Sequence, residues 1–276
     1  MKRFTAALAT VALATVVTAR AAEPVRIIFQ GGRAIPIEAL ELKGANFVVT
    51  AAQDGLTVGQ SVPSNTADHV FGDKPEGINK GIGFLLTGEP VKALGALEPI
   101  VTAHKVTGPV PGNFWVETAR AAILAYADMG NAAKAEDLAK ALADATPESG
   151  PDPVLGLARA LLMSASTKLD ARVAAFDEFI NDNSPTDIAA YASYFKGQYL
   201  QKGKQDARAL EAWSVVTCLY PTGGNILNGA AELASSQYLF NHKRRDEAVV
   251  LLEAAARDAR NSPVADEAKK RLESMK

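Results

Sequence analysis

Cysteine and histidine are nearly absent from this chain: Cys218 is its single cysteine, and His69, His104 and His242 stand far apart. One cysteine cannot close an internal disulfide or build a thiolate cluster, and no His-Glu-x-x-His spacing occurs, so no metal ligand is expected. Charge of either sign is also not in excess. Against 29 Lys and Arg stand 31 Asp and Glu, a formal net charge of -2, and the clustered basic surplus that a phosphate backbone needs is missing, which argues against nucleic acid as a partner. Catalytic signatures are equally scarce. Ser61 in VGQSVP lacks the second glycine of a nucleophile elbow, and Gly81-Ile82-Gly83 lies inside an apolar helical pattern instead of between a strand and a helix, so it is no dinucleotide loop. Acidic pairs such as Glu136-Asp137 and Asp177-Glu178 fall on helix surfaces, where solvated charge explains them. We therefore expect no catalytic residue and no cofactor, and read the chain as a non-enzyme. Cys218, in SVVTCLYP, is expected on the buried face of a helix.

The chain has few long apolar runs, and the one at its start has a specific shape. Lys2 and Arg3 precede an uncharged stretch from Phe4 to Val17, and Ala19-Arg20-Ala21 places small residues at alternate positions. This is the layout of an export signal over residues 1–21, cleaved after Ala21 or Ala22. The run is shorter than the roughly 20 residues of a spanning helix. Losing Lys2, Arg3 and Arg20 and no acid moves the formal charge from -2 to -5. The expected location is periplasmic or secreted, with no transmembrane segment left after cleavage. Without disulfides, the remainder must hold itself together by core burial.

Residues 22–74 alternate with period two and favour β-branched side chains. Val25 to Phe29, Ala34 to Ile37, Leu40 to Leu42, Phe47 to Thr50 and Leu56 to Val58 read as short strands. Turn signals separate them at Gly31-Gly32, Gly44-Ala45-Asn46, Asp54-Gly55 and Val62-Pro63-Ser64-Asn65. A sheet or partly closed barrel of about five strands follows, with His69 in a loop after it. Its rhythm of short strands and glycine turns resembles small SH3-like or Sm-like barrels.

From residue 75 to 276 the pattern turns helical and repeats. The unit Gly81, Phe84, Gly88, Ala93, Leu97 and Ile100 returns as Ile123, Tyr126, Gly130, Ala135, Ala139 and Leu142. Further copies are Ala160, Met163, Thr167, Arg172, Phe176 and Phe179; Gly197, Leu200, Lys204, Ala209, Trp213 and Val216; and Ser236, Leu239, Lys243, Ala248, Leu252 and Ala255. Arg172 occupies a position that is otherwise alanine. Each unit is a helix, a turn and a second helix, and repeats of this length stack their apolar faces into a solenoid. Gly88, Gly130 and Gly203 are expected to supply positive φ at the turns. Asn113 caps a helix running through Phe114 and Trp115, and Pro151, Pro185 and Pro263 mark other starts or stops. The final stretch VADEAKKRLESMK suits a polar capping helix.

These positions resemble the tetratricopeptide repeat family, with small residues at the hairpin contact, a large one a turn later, and Pro147 and Pro221 each 12 residues after the small residue. The unit is longer than that family's usual ~34 residues, and its signature tryptophan is missing from the first helix. The resemblance implies a mainly α fold: a right-handed solenoid of about five helical hairpins plus a capping helix, preceded by a small β sheet or barrel. It also implies a concave groove, lined by the first helices of the hairpins, that holds a protein or peptide partner. Carried over by register, the groove residues are Glu117, Arg120 and Asp128; Tyr191, Tyr194, Gln198, Gln201 and Lys202; and Gln237 and Asn241. Tyr offers apolar area with a polar tip, and Gln and Asn pair with exposed peptide backbone. The expected function is an exported, non-catalytic scaffold for protein interaction in the bacterial cell envelope. The alternative is an envelope glycan or peptidoglycan binder in which Trp115, Tyr191 and Trp213 stack on sugar rings. An exported hydrolase ranks third. The basic run His242-Lys243-Arg244-Arg245 is expected at a solvated hairpin turn.

Overall fold

The computed structural model describes residues 22–53, 55–146 and 152–275. The expected export signal and the marker prolines Pro147 and Pro151 lie outside the described residues. The protein is mainly helical, with a small β region at its start.

Six short strands form the β region: β1 (Arg26–Phe29), β2 (Ala34–Pro36), β3 (Leu40–Lys43), β4 (Asn46–Val49), β5 (Ser61–Pro63) and β6 (Ala67–Phe71). They make two antiparallel three-stranded sheets, ordered β2-β1-β6 and β3-β4-β5. This corrects the expectation of a single sheet or barrel of about five strands. Leu56 makes only an isolated bridge to Gln53, whereas the presumed turn around Pro63 and the presumed loop around His69 are strands. The inward positions Ile27, Phe29, Ile35, Phe47 and Val49 are buried, and Phe29 meets Phe47 edge to face at 5.7 Å, joining the two sheets. Val106 and Val110 complete this core from the connection that follows the second helix, which seats the β region on the helices. Sheets of this size gain stability from such a seat.

Eleven helices follow among the described residues, ten of them in hairpins. These are α1 (Glu76–Leu86) with α2 (Pro90–His104), α3 (Trp115–Asp128) with α4 (Ala132–Ala145), and α5 (Val154–Leu161) with α6 (Leu169–Asn183). Then come α7 (Asp187–Lys202) with α8 (Asp206–Leu219), α9 (Asn225–Asn241) with α10 (Arg245–Asp258), and finally α11 (Pro263–Ser274). The register read from the sequence is visible in the turns. In four hairpins the amide just past the turn donates back to the same repeat position: Glu89 to Phe84, Asn131 to Tyr126, Gln205 to Leu200 and Arg244 to Leu239, at 2.8 to 2.9 Å. Each such turn carries one left-handed residue, at Gly88, Gly130, Lys204 and Lys243. Gly203 is therefore a correction: its φ is -82°, and Lys204 carries the positive φ of 59°. Gly203 is needed for closeness instead, since a Cβ there would lie 2.3 Å from Leu169.

Inside the hairpins, large and small residues oppose one another. A Cβ on Gly81 would lie 2.4 Å from Leu97, and one on Gly197 would lie 2.3 Å from the Trp213 ring. The same two repeat positions are Ala160 and Phe176 in the third hairpin and Ser236 and Leu252 in the fifth, all buried. Glycine or another small residue lets the helix axes approach where the partner is bulky.

Hairpins pack on their neighbours in chain order, and the stack then closes, because α1 also packs against α9 and α11. Val264, Ala265 and Ala268 give α11 a buried face while its remaining surface stays charged. The last helix is thus a cap on the outside and a closing wall on the inside.

Candidate functional site

The first helices of the hairpins run side by side, so polar residues one turn apart on α7 and α9 face the same interior. Tyr194, Gln198 and Gln201 of α7 and Gln237 of α9 line a cavity of about 580 Å³. Its apolar floor comes from Phe84, Leu86, Trp213, Leu233 and Pro263, and its rim from Glu89, Asp266, Glu267, Lys270 and Arg271. Burial pushes the Tyr194 hydroxyl pKa upward, so this group stays protonated and donates to the Leu86 carbonyl at 2.5 Å. Gln198 donates to the same carbonyl at 3.2 Å and to the Tyr194 oxygen at 3.1 Å. Gln237 accepts from Arg271 at 3.0 Å and donates to Asn241 at 3.0 Å, while Arg271 also holds Glu267 at 2.8 Å. Four of the ten groove candidates therefore converge here, and Asn241 is attached to them through Gln237.

A second cavity of about 470 Å³ lies further toward the start of α7 and α9 and takes in Glu117 and Tyr191. Glu117 pairs there with Lys74 at 2.8 Å. Burial is the largest cause of the raised Tyr191 pKa, followed by the charges of Glu117 and Asp187. The other candidates serve elsewhere. Arg120 bonds Asp152 at 2.9 Å and Asp187 at 3.3 Å, tying α3 to the starts of α5 and α7. Burial raises the carboxyl pKa of Asp128, opposed by the charge of Lys202, whose ammonium sits 4.9 Å from the Tyr199 ring centre.

Of the three aromatic residues considered for sugar stacking, Tyr191 lines the second cavity and the two tryptophans are withdrawn into the core. Trp115 is fully buried with its indole donating to Val101 at 2.8 Å, and Trp213 is buried with its indole donating to the Tyr194 carbonyl at 3.3 Å. Cys218 is exposed, which corrects its expected burial: α8 buries Ala209, Ala212, Trp213 and Val216, and position 218 falls on the opposite side of that stripe. His69 lies on β6 in contact with Asp68 at 2.8 Å, His104 is buried at the end of α2, and His242 stacks on Tyr238. Among the described residues no group of three or more His, Cys, Asp or Glu could hold a metal ion, and no helix is long and apolar enough to cross a membrane.

Sequence reasoning missed half of the larger cavity. Phe84, Leu86 and Glu89 of the first hairpin and Pro263 to Arg271 of α11 reach it only because the two ends of the stack meet. The hydrogen bonds involved join residues 108 and 112 positions apart, and no local pattern announces them.

Stacked helical hairpins whose first and last members meet beside a cavity open to solvent define a helical-repeat protein. No family model matches the sequence, and no curated protein matches it. Among solved structures, one titled "Crystal structure of MamA" matches with 20% identity over 69% of this chain and 96% of that chain, at a TM-score of 0.33. At that level the likeness bears on neither site nor partner.

Proposed function

We propose that this protein is an exported, non-catalytic scaffold of the tetratricopeptide type that holds a segment of a partner protein in its larger cavity. One observation carries the reading: Tyr194, Gln198, Gln201 and Gln237 converge over an apolar floor, combining amides for a peptide backbone with room for an apolar side chain. Gln201 is exposed and makes no side-chain hydrogen bond within the described structure, so its amide is open to a ligand. The Lys2-Arg3 start, the uncharged run and Ala19-Arg20-Ala21 support export and a place in the cell envelope. Fractionation of cells with sequencing of the mature N-terminus tests this part, and a mature chain beginning at Met1 in the cytoplasm contradicts it.

The partner reading is tested by crosslinking in the native envelope followed by capture of the full chain. The double variant Gln201→Ala, Gln237→Ala is expected to lose at least tenfold of the captured partner, since each amide bonded to a backbone contributes about 1 kcal/mol. Undiminished capture refutes the cavity as the binding site. Burial of Trp115 and Trp213 takes away two of the three stacking residues of the glycan alternative, and sedimentation of the protein with purified sacculi checks it directly.

A further inference from the structure

We infer that a cavity between α8, α9 and α10 is a binding site for a small organic amine, with Glu232 as the group that holds the ammonium. The site is separate from the cavity assigned to the partner segment and does not depend on that reading. Ala230, Leu233, Ala234 and Gln237 of α9 face the larger cavity, whereas Glu232, Ser235 and Leu239 lie on the opposite side of the same helix and line a cavity of about 400 Å³. That volume falls within the range of small-molecule sites.

The polar side of this cavity is short of donors. Glu232 Oε2 is buried and receives no hydrogen bond among the described residues. Asn228, one turn earlier on the same stripe of α9, donates to the Pro221 carbonyl at 2.8 Å and leaves its own buried Oδ1 without a donor. Ser235, one turn later, is only 6% exposed and its hydroxyl makes no hydrogen bond to another described residue. The nearby arginines are engaged elsewhere, Arg244 with Glu247 at 2.6 Å and Arg257 with Asp258 at 2.7 Å. A buried carboxylate oxygen with no donor is costly, and an ammonium group, with its three donors, removes that cost. An anion would meet acceptors here and is excluded. The other walls suit an alkyl body: Leu210 of α8, Leu239 of α9, and Val250 and Leu251 of α10, with Val250 62% exposed.

The site also couples binding to a proton. Burial, with the charge of Asp258 adding and that of Arg257 opposing, raises the Glu232 carboxyl to about 7, and an ammonium beside it favours the ionised form. Among the described residues, the cavity's other charged groups are Arg244 and Glu247 of α10, which neutralise one another, and α8 contributes Leu210, Ser214 and Thr217, none of which titrates in this range. Below pH 7 an amine must therefore expel a proton to bind, and its affinity rises with pH.

The experiment titrates the full chain with hexylamine, and separately with hexanoate as a probe of the same apolar body and opposite charge, and follows backbone amide resonances. Hexylamine is expected to saturate with a Kd of about 1 mM and to shift the amides of Ser235 and Leu251, while hexanoate leaves them in place. Its affinity should rise about tenfold between about pH 6 and about pH 8, a range over which the amine stays charged and Glu232 loses its proton. Glu232→Gln, which keeps the shape of the side chain, should weaken hexylamine about tenfold or more and remove the pH dependence. Equal binding of hexanoate, shifts confined to other parts of the chain, or no saturation by hexylamine overturns the site. So does an affinity that is the same at both pH values, and this result needs no variant, so it decides the matter even where Glu232→Gln fails to fold.

Discussion

Arg172 is the residue that breaks the repeat, and the structure shows why it can. It is buried, and its guanidinium donates to the carbonyls of Ala160, Leu161, Met163 and Ser164 while lying 4.4 Å from the Tyr199 ring centre. Helix α5 is only eight residues long, and Arg172 satisfies its C-terminal carbonyls from below, as a cation at the negative end of a helix should. Arg172→Ala is expected to cost about 3 kcal/mol in denaturant unfolding, and Arg172→Lys should recover less than half of that, because an ammonium cannot span four carbonyls. A loss below ~1 kcal/mol would contradict the assignment. Glu232 makes a pH prediction. Burial, then the charge of Asp258, raises its pKa from 4.5 to about 7, with Arg257 opposing. The folded state therefore keeps the proton to higher pH than the unfolded state. Stability from this group is full below pH 4.5 and falls as pH rises through about 7. Glu232→Gln should leave stability at pH 4 unchanged and raise it at pH 8 by about 1 kcal/mol, less than the full shift because the carboxyl is only partly buried. Equal effects at both pH values would contradict it.

At the scale of elements, the turn is the unit that repeats most faithfully. Lys204 and Lys243 stand in the left-handed conformation that Gly88 and Gly130 occupy in their own hairpins. A lysine pays for that backbone where glycine does not. Lys204→Gly and Lys243→Gly are each expected to raise stability by about 0.5–1 kcal/mol, read as a higher urea midpoint with unchanged slope. Destabilisation by either would mean that the lysine side chains do more than solvate the turn. The helix register was legible because every hairpin keeps a buried alanine or its substitute one turn from a small and large pair, as in Gly197 and Trp213. Lys204 was not, since glycine at 203 drew the eye and its reason for being glycine is the approach of Leu169. β5 and β6 were missed because β5 is three residues ending in Pro63, and β6 buries only Val70, so neither shows clean alternation.

At the scale of the whole molecule, the solenoid was readable and its closure was not. Stacking follows from apolar faces repeated in order, but the meeting of α1 with α9 and α11 depends on the summed turn of five hairpins. That closure converts an open groove into a cavity, and it decides which candidates matter. Tyr194, Gln198, Gln201 and Gln237 are brought together, Glu117 and Tyr191 go to a second cavity, and Arg120 becomes a tie between helices. The most direct test of the account places a photo-activated crosslinker at Gln201, inside the larger cavity, and a control at Val250, an exposed residue of α10. Irradiation of cells carrying the full chain should yield a discrete protein adduct from position 201 and none from position 250. No adduct at 201, or the same adduct at both positions, would contradict the claim that the partner is held in the cavity between α7, α9 and the meeting ends of the stack.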